Sequence, residues 1–219
     1  MKEDVFIIVP AFNPDEQLEK VIENLMKKGF EKIVVVDDGS KSKKIFKKIK
    51  GKAIILKHNE NCGKGRALKT AFKYCINQEN IKEVITVDAD GQHDIEDVEN
   101  VWKESKKNKD KVILGSRNFK NAPIFSKIGN EIINKKIYRK TNIKFKDSQT
   151  GLRVIPIKYL KDLINIPGER YEYETSVLLY FATKNVEIIE KEIKTIYIEN
   201  NKKSNFKKIK DSIRVYKAI

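Results

Sequence analysis

Short apolar runs alternate with longer amphipathic segments along the first half of the chain. The short runs are rich in β-branched residues and predict strands at Val5–Val9, Ile33–Val36, Ala53–Leu56, Val84–Val87 and Val112–Leu114. Continuous apolar runs separated by helical segments are typical of buried strands in a largely parallel sheet. The pattern therefore predicts an α/β fold, with a mostly parallel central sheet flanked by helices.

The segments between these strands have the periodicity of helices. In the first, the apolar residues fall on one stripe; we expect Asn13 to cap the helix, Pro14 to lie in its first turn and Gly29 to end it. Further helices are predicted at Lys41–Lys50, Gly63–Asn77 and Asp94–Lys107.

The pattern becomes less regular after residue 120. It predicts helices at about Ile124–Arg139 and Tyr173–Lys184, a short strand at Leu152–Ile155, and extended segments at Val186–Glu190 and Ile193–Ile198. We find no internal repeat, low-complexity tract or linker. For a chain of 219 residues, a single domain spanning residues 1–219 is therefore expected.

Composition narrows the class of protein. Charged residues make up 35% and hydrophobic residues 40% of the chain, which suits a folded protein. The net charge of +15 indicates an anionic partner, which could be nucleic acid, acidic lipid or a phosphorylated substrate. Alternatively, the excess of lysine reflects only the codon usage of an AT-rich genome. There is no signal peptide and no run of about 20 apolar residues, so we expect a soluble or peripheral cytosolic protein.

Polar loops follow the first four predicted strands. They are Pro10-Ala11-Phe12-Asn13, Asp37-Asp38-Gly39-Ser40, Asn61-Cys62-Gly63-Lys64-Gly65 and Asp88-Ala89-Asp90-Gly91-Gln92. In open α/β sheets the ligand binds beyond the carboxyl ends of the strands, so these loops are expected to form one site. The four loops in this order are far more specific than any one of them.

Asp88 and Asp90 suggest a metal site. They are two residues apart at a strand end, so their carboxylates project to the same side if the extended geometry continues. With the amide oxygen of Gln92 they would supply the hard oxygen ligands that Mg²⁺ or Mn²⁺ prefers. Taken alone, such a pair is more often a helix cap.

Two other loops suggest a nucleotide. A carboxylate after the second strand, here Asp37 or Asp38, can bind a base or a ribose. Gly63 and Lys64 begin a predicted helix, where free N–H groups favour a phosphate. The loops contain neither the glycine pattern of dinucleotide-binding sheets nor a P-loop, so a dehydrogenase or an NTPase is poorly supported.

Together the four loops resemble those of the family 2 glycosyltransferases of the GT-A fold, and most closely their polyprenyl-phosphate, dolichol-phosphate mannose synthase-like branch. The resemblance continues through Gly115-Ser116-Arg117, Asp147-Ser148-Gln149-Thr150-Gly151-Leu152-Arg153 and Glu172-Tyr173-Glu174, and covers most of the chain. It implies an inverting, metal-dependent hexosyltransferase with a GT-A, Rossmann-like sheet. Residues 1–115 would bind the nucleotide-sugar and residues 116–219 the acceptor.

The resemblance and the loop chemistry together imply a role for each matching residue. The UDP- or GDP-sugar is expected on Pro10, Ala11, Phe12, Asn13, Asp37, Asp38, Gly63, Lys64, Asp88 and Ala89. The expected ligands of Mg²⁺ or Mn²⁺ are Asp88, Asp90 and Gln92. The expected catalytic residues are Asp90, Arg117 and Asp147. The acceptor is expected on Arg117, Lys127, Arg153, Lys202 and Lys203, where lysines replace arginines common in that branch.

Two segments predict contact with a membrane. Isoleucines alternate with basic residues at about Ile124–Arg139, and apolar and basic residues alternate again from Phe206 to Lys217. Cationic amphipathic helices bind anionic lipid surfaces, although a helix packed on the sheet with a solvated charged face has the same pattern. We therefore expect a peripheral protein at the cytoplasmic face of the cell membrane, with a polyprenyl phosphate or another membrane-held acceptor. A membrane partner protein is left open, and no nucleic acid is expected.

Other functions stay open at this point. A glycosyltransferase that acts on a hydroxyl of a glycan, glycolipid or wall polymer needs a base, for which Asp147 is the candidate. Asp147 could equally brace its loop, for example against Arg153, and Arg117 could be the structural partner of an acidic loop. A nucleotidyltransferase would need a glycine-rich loop after the first strand. A basic nucleic-acid- or lipid-binding module would leave the aspartates unexplained.

Overall fold

One seven-stranded sheet forms the centre of the molecule. The computed structural model describes residues 2–118, 124–194 and 208–219. Its strands are β1 (Val5–Ala11), β2 (Ile33–Asp38), β3 (Ile54–His58), β4 (Glu83–Thr86), β5 (Val112–Arg117), β6 (Arg153–Pro156) and β7 (Ile188–Ile193). Their order across the sheet is β3-β2-β1-β4-β6-β5-β7. The predicted α/β fold with a mostly parallel sheet is confirmed.

Among the strands described, β6 alone runs antiparallel to its neighbours. Because of its direction, Arg153 at the start of β6 lies opposite Thr86 at the end of β4. Strand β7 pairs in parallel with β5, and Ile193 lies opposite Arg117. The loop that precedes β6 therefore reaches the same edge of the sheet as the loops that follow β1, β2 and β4.

Helices cover both faces of the sheet. They are α1 (Gln17–Lys27), α2 (Lys44–Lys48), α3 (Lys64–Ile76), α4 (Ile95–Lys107), α5 (Ile124–Thr141), α6 (Leu160–Leu163), α7 (Glu172–Thr183) and α8 (Lys208–Ala218). Helices α1, α2 and α4 share one core with Ile7 and Val9 of β1, and the other helices share a second core with Ile8. Successive side chains of a strand point to opposite faces of the sheet, so alternate residues of β1 pack into different cores. None of the described helices is both long enough and apolar enough to cross a membrane.

The first helix begins later than predicted. It starts at Gln17, whose N–H donates to the Asp15 carboxylate at 2.9 Å. Asn13, predicted to be the cap, has φ 47° and instead accepts a hydrogen bond from Lys41 N–H at 2.9 Å. That prediction was wrong because Asn13 joins the loop after β1 to the loop after β2. Gly29, with φ 78°, follows the last turn as predicted.

Other element boundaries also differ from the prediction. The helix predicted at Lys41–Lys50 is shortened to α2, and β6 begins one residue later than expected. A short 3₁₀ turn at Ile157–Tyr159 and helix α6 were missed, because neither is long enough to establish a period. Residues 195–198 of the last predicted extended segment lie outside the described residues.

Candidate active site

The loop before β6 and the loop after β4 meet at the carboxyl edge of the sheet. Thr86 Oγ1 donates to the carbonyl oxygen of Gly151 at 2.7 Å, which fixes the two loops together. A Cβ at residue 151 would lie 2.3 Å from Asp88 Oδ2. Gly151 is therefore required for the Asp88 carboxylate to lie against this backbone.

Asp88 belongs to a half-buried ionic cluster. Lys64 Nζ lies 2.7 Å from Asp88 Oδ1 and 2.8 Å from Glu174 Oε2. Burial opposes the charge on Lys64, but the Asp88 and Glu174 carboxylates outweigh it and raise the pKa of the ammonium. Burial likewise opposes the charge on Asp88, but Lys64 and His93 hold the pKa of that carboxyl far below its usual value. At neutral pH, Lys64 and Asp88 are therefore both charged.

Asp90 lies in the turn that follows Asp88. Its Oδ1 accepts a hydrogen bond from Gln92 N–H at 3.0 Å, and Gly91, with φ 76°, turns the chain between them. Burial and the negative charge of Asp88 raise the pKa of the Asp90 carboxyl. The two carboxylates therefore repel each other, and a divalent cation between them would remove that repulsion.

This pair fits a hard divalent cation better than the other cluster of potential ligands. Asp38, His58 and Cys62 hold ligand atoms within 4.8 Å of one another, the one group of three found in the described residues. However, both Asp38 oxygens already accept hydrogen bonds, and burial and the Asp38 charge raise the pKa of the Cys62 thiol. Asp88 and Asp90 supply oxygen ligands, which suit Mg²⁺ or Mn²⁺. His58, the last residue of β3, already forms hydrogen bonds, 2.7 Å from Asp38 and 2.9 Å from Thr70.

Asp37 and Asp38, at the end of β2, hold the neighbouring loops at this edge. Asp38 is 2% exposed and accepts hydrogen bonds from the N–H groups of Cys62 and Gly63 at 2.9 and 2.8 Å. Asp37 is fully buried and lies 2.6 Å from Lys43 Nζ. In this conformation both carboxylates hold neighbouring loops in place. Their contact with a nucleotide stays a prediction.

The remaining residues predicted to bind the nucleotide lie at the same edge. Residues 10–13 end β1 and form the loop after it, and Ala89 lies in the turn between the two aspartates. Gly63 precedes α3 with φ 104°, and a Cβ there would lie 2.4 Å from the carbonyl oxygen of Glu169. The glycine therefore lets the start of α3 pack closely on the segment before α7.

Arg117 and Asp147 form a bidentate ion pair. Arg117 Nε lies 2.6 Å from Asp147 Oδ2, and its NH2 nitrogen lies 3.1 Å from Oδ1. Asp147 is fully buried and also accepts a hydrogen bond from Gln149 N–H at 3.1 Å. Both carboxylate oxygens are therefore engaged. This geometry orients Arg117 more directly than it prepares Asp147 to accept a proton.

A cavity of about 460 Å³ lies beside this ion pair. Its lining is Ser116, Arg117, Asn118, Lys127, Lys146, Glu190 and Glu192. The structure thus brings Arg117 and Lys127, two of the predicted acceptor residues, to one cavity whose lining carries three cations and two carboxylates. Sequence analysis missed Lys146, although its position next to Asp147 was a signal. It also assigned no role to Glu174, which lies in a motif that carried the resemblance.

Arg153 lies away from that cavity. It is 2% exposed, and its guanidinium donates to the carbonyl oxygens of Thr150 at 2.9 Å and Glu174 at 2.7 Å. These contacts brace the loop before β6, so the position of Arg153 does not support its predicted contact with the acceptor. Lys202 and Lys203 lie outside the described residues.

Comparison with solved structures identifies the class of fold. A crystal structure of glucosyl-3-phosphoglycerate synthase from Mycobacterium tuberculosis aligns over 98% of this chain and 78% of its own, with a TM-score of 0.75 and 14% identity. Another, in complex with Mn²⁺, UDP and glucosyl-3-phosphoglycerate, aligns over 98% and 77%, with a TM-score of 0.72. The architecture is that of the GT-A glycosyltransferases, as the resemblance implied.

Sequence comparison identifies the family. The profile described as glycosyl transferase family 2 matches residues 6–164. A UDP-N-acetylglucosamine–dolichyl-phosphate N-acetylglucosaminyltransferase of Methanococcus voltae is 31% identical over 218 residues, covering 89% of this chain and 86% of that protein. An uncharacterized protein of Methanocaldococcus jannaschii is 36% identical over 204 residues, covering 90% and 84%. The chain belongs to glycosyl transferase family 2 and is a glycosyltransferase.

Proposed function

We propose that this chain is an inverting, metal-dependent hexosyltransferase that moves a sugar from a UDP- or GDP-sugar to a polyprenyl phosphate. The observation that carries the proposal is the position of the Asp88–Asp90 pair at the same edge of the sheet as the loop that orients Arg117. Arg117, Lys127 and Lys146 line the cavity next to the ion pair, beside Glu190 and Glu192, and these three cations suit an anionic acceptor. The Methanococcus voltae relative makes UDP-N-acetylglucosamine the first donor to test.

Asp88 and Asp90 would hold Mg²⁺ or Mn²⁺. The positive charge of the ion would offset the negative charge that develops on the leaving nucleoside diphosphate. A phosphate monoester has a second pKa near ~6, so it is already a nucleophile at neutral pH. Arg117, Lys127 and Lys146 would hold its charge with an oxygen directed at the anomeric carbon. Attack from the side opposite the diphosphate inverts that carbon.

A hydroxyl acceptor is less well supported. Such an acceptor needs a base near the sugar, and Asp147 was the candidate. Both Asp147 oxygens are bound to Arg117, at 2.6 and 3.1 Å, and the side chain is fully buried. A phosphate acceptor needs no such base, so the ion pair favours polyprenyl phosphate.

The proposed acceptor is held in a membrane, and one surface of the protein suits that setting. Five of the seven large apolar side chains most exposed in the described residues lie on α5 and α8, namely Ile128 and Ile132 at 48% and 50%, Tyr138 at 39%, and Ile213 and Tyr216 at 51% and 48%. Lysines and arginines surround them. We infer peripheral binding of this α5–α8 face to anionic lipid at the cytoplasmic side of the membrane. Lys127, at the start of α5, would then bring the cavity close to the lipid head groups.

The test is sugar transfer to radiolabelled product. Purified protein is given UDP-N-acetylglucosamine, UDP-glucose or GDP-mannose, with Mn²⁺, Mg²⁺ or EDTA, and either a polyprenyl phosphate or the unphosphorylated polyprenol. We expect one donor to label the phosphate only, with metal, and Asp90→Asn to abolish the reaction. Asp94→Asn, a helix cap on the same loop, is the matched control. Labelling of the polyprenol, or labelling in EDTA at the same rate, would contradict the proposal.

A further inference from the structure

Lys64 occupies the carboxylate that a metal ion would need. Its Nζ lies 2.7 Å from Asp88 Oδ1, and the side chain is 15% exposed. An ammonium and a divalent cation compete for the same oxygens, because both are stabilised by the negative charge of Asp88. Lys64 therefore already neutralises Asp88, and a metal that binds Asp88 competes with it.

We propose that Lys64 is an exchangeable counter-cation. It neutralises Asp88 while the donor is absent; when a metal–nucleotide complex arrives, it leaves Asp88 to the metal and moves onto the donor diphosphate. This inference rests on the proposed function, because it takes the metal to bind at Asp88 and Asp90. It makes metal and nucleotide binding interdependent.

Glu174 gives Lys64 a second carboxylate during the exchange. Glu174 Oε2 lies 2.8 Å from Lys64 Nζ. Its other oxygen, Oε1, is buried and has no hydrogen-bond partner among the described residues. Lys64 can thus stay bound to Glu174 after Asp88 is released. The ammonium need not return to solvent at any stage.

The movement is confined to the side chain of Lys64. A Cβ at Gly65 would lie 2.5 Å from Tyr173 Cβ, so the backbone of α3 is packed directly on α7. The four-carbon stem of lysine is flexible and carries a compact charge. Lys64 is also the first residue of α3, where the positive end of the helix dipole favours a phosphate, although the N–H of Arg66 in the same turn donates to the carbonyl oxygen of Glu169. The donor phosphate that would receive the ammonium is therefore itself attracted to the start of α3.

The experiment measures Mn²⁺ binding by the electron paramagnetic resonance of free Mn²⁺, with and without UDP, and UDP binding by calorimetry in Mn²⁺. For Lys64→Gln we expect Mn²⁺ affinity to rise about tenfold without UDP and UDP affinity in Mn²⁺ to fall about tenfold. If Lys64 instead stayed on Asp88 in both states, Lys64→Gln would change Mn²⁺ affinity by the same factor with and without UDP. The matched control is Arg66→Gln, which removes a charge from the same turn but pairs with Glu169 at 2.5 Å.

A second variant tests the exchange if Lys64→Gln unfolds. Lys64→Arg keeps the charge and can bind a carboxylate through two parallel hydrogen bonds. We expect it to bind Mn²⁺ more weakly than wild type without UDP. Equal or tighter Mn²⁺ binding, or Mn²⁺ affinities for Lys64→Gln that shift alike with and without UDP, would overturn the exchange. If wild type binds no Mn²⁺ even with UDP or GDP, the proposed function itself fails.

Discussion

At the scale of single residues, the site depends on a close contact between a side chain and the backbone that only glycine permits. The Asp88 carboxylate lies against the backbone at Gly151, in space that any Cβ would occupy. The same carboxylate binds Lys64 and faces His93 at 3.3 Å. A change at residue 151 therefore alters the position of Asp88 without altering the charge of the cluster.

Gly151→Ala tests this approach. The added methyl group would lie 2.3 Å from Asp88 Oδ2, so the carboxylate or the loop must shift. Overpacking of this kind costs about 1–3 kcal/mol, and we expect Mn²⁺ affinity to fall roughly ten- to hundredfold. The control is Gly129→Ala in α5, where a Cβ would meet nothing within 4 Å. Unchanged Mn²⁺ binding in Gly151→Ala would remove the argument for a required glycine.

Asp147→Asn tests whether the carboxylate orients Arg117 or takes a proton. If it orients Arg117, the KM for polyprenyl phosphate rises and kcat falls by less than about tenfold, because no proton transfer is lost. A general base is worth about 10²–10⁴ in rate, so a loss of that size in kcat at every pH would restore the base hypothesis. Steady-state rates against acceptor concentration between pH 6 and 9 separate the two roles.

At the scale of elements, ion pairs connect α4 to other parts of the fold. Glu99 of α4 lies 3.1 Å from Lys28, 3.4 Å from Lys2 and 3.3 Å from Lys103. The hydrogen bond from Lys28 outweighs the effect of burial, and with the charge of Lys2 it lowers the pKa of Glu99 to about 2. The ionised carboxylate therefore stabilises the packing of α4 beside α1.

Glu99→Gln gives a pH-dependent loss of stability. A carboxyl whose pKa is lower in the folded than in the unfolded protein stabilises the fold above its ordinary pKa, and loses that contribution as the pH falls through the folded value. We expect a loss of a few tenths to about 1 kcal/mol at pH 7, which shrinks below pH 4.5 and disappears near pH 2. Urea unfolding at pH 7 and pH 3 measures it, with exposed Glu16→Gln as the control. A loss that is the same at both pH values would contradict the assignment.

The strands could be predicted from sequence because their signal is local. Apolar runs such as Ile33–Val36 are buried on both faces of the sheet, so every residue in the run is apolar. The loops at their ends follow from the strands, which is why the site residues were found together. Family membership came from the order of those loops and is confirmed by the sequence comparison.

Other features could not be predicted because they depend on contacts between distant parts of the chain. Lys64 and Glu174 are far apart in sequence, and no periodic pattern in the sequence indicates that they form an ion pair. Asn13 has the composition of a helix cap but bonds to the loop after β2 instead, at Lys41. Arg153 was predicted to contact the acceptor, but its guanidinium donates to three backbone carbonyl oxygens in the interior.

At the scale of the whole molecule, the net charge of +15 is combined with an exposed apolar surface on one side. Helices α5 and α8 carry basic residues as well as exposed apolar side chains. The two helices meet where Lys136 Nζ lies 3.6 Å from the centre of the Tyr216 ring. Helix α1 covers the opposite face of the sheet. Replacing one exposed apolar side chain on each face therefore tests whether the protein binds lipid through the α5–α8 face rather than through α1.

Ile132→Asp should weaken binding to vesicles that contain phosphatidylglycerol. Burying an isoleucine is worth about 1.5–3 kcal/mol, so we expect at least about a tenfold loss of binding in a sedimentation assay. Met26→Asp on α1, where the native side chain is 42% exposed, is the control and should bind like wild type. Equal losses in both variants would point to a general effect of negative charge and exclude a lipid-binding α5–α8 face.

The antiparallel insertion of β6 also constrains how the protein can be synthesised. Because β6 separates β4 from β5, a nascent chain that has not yet produced Arg153–Pro156 has no partner strand for one side of β4. Unpaired strand edges are templates for aggregation. The same delay leaves Asp88 without the backbone of Gly151 until the polypeptide is about two-thirds complete. The edge of the sheet that carries Asp88 therefore cannot assemble until the segment around Gly151 has been translated, although Lys64 and Asp88 are made much earlier.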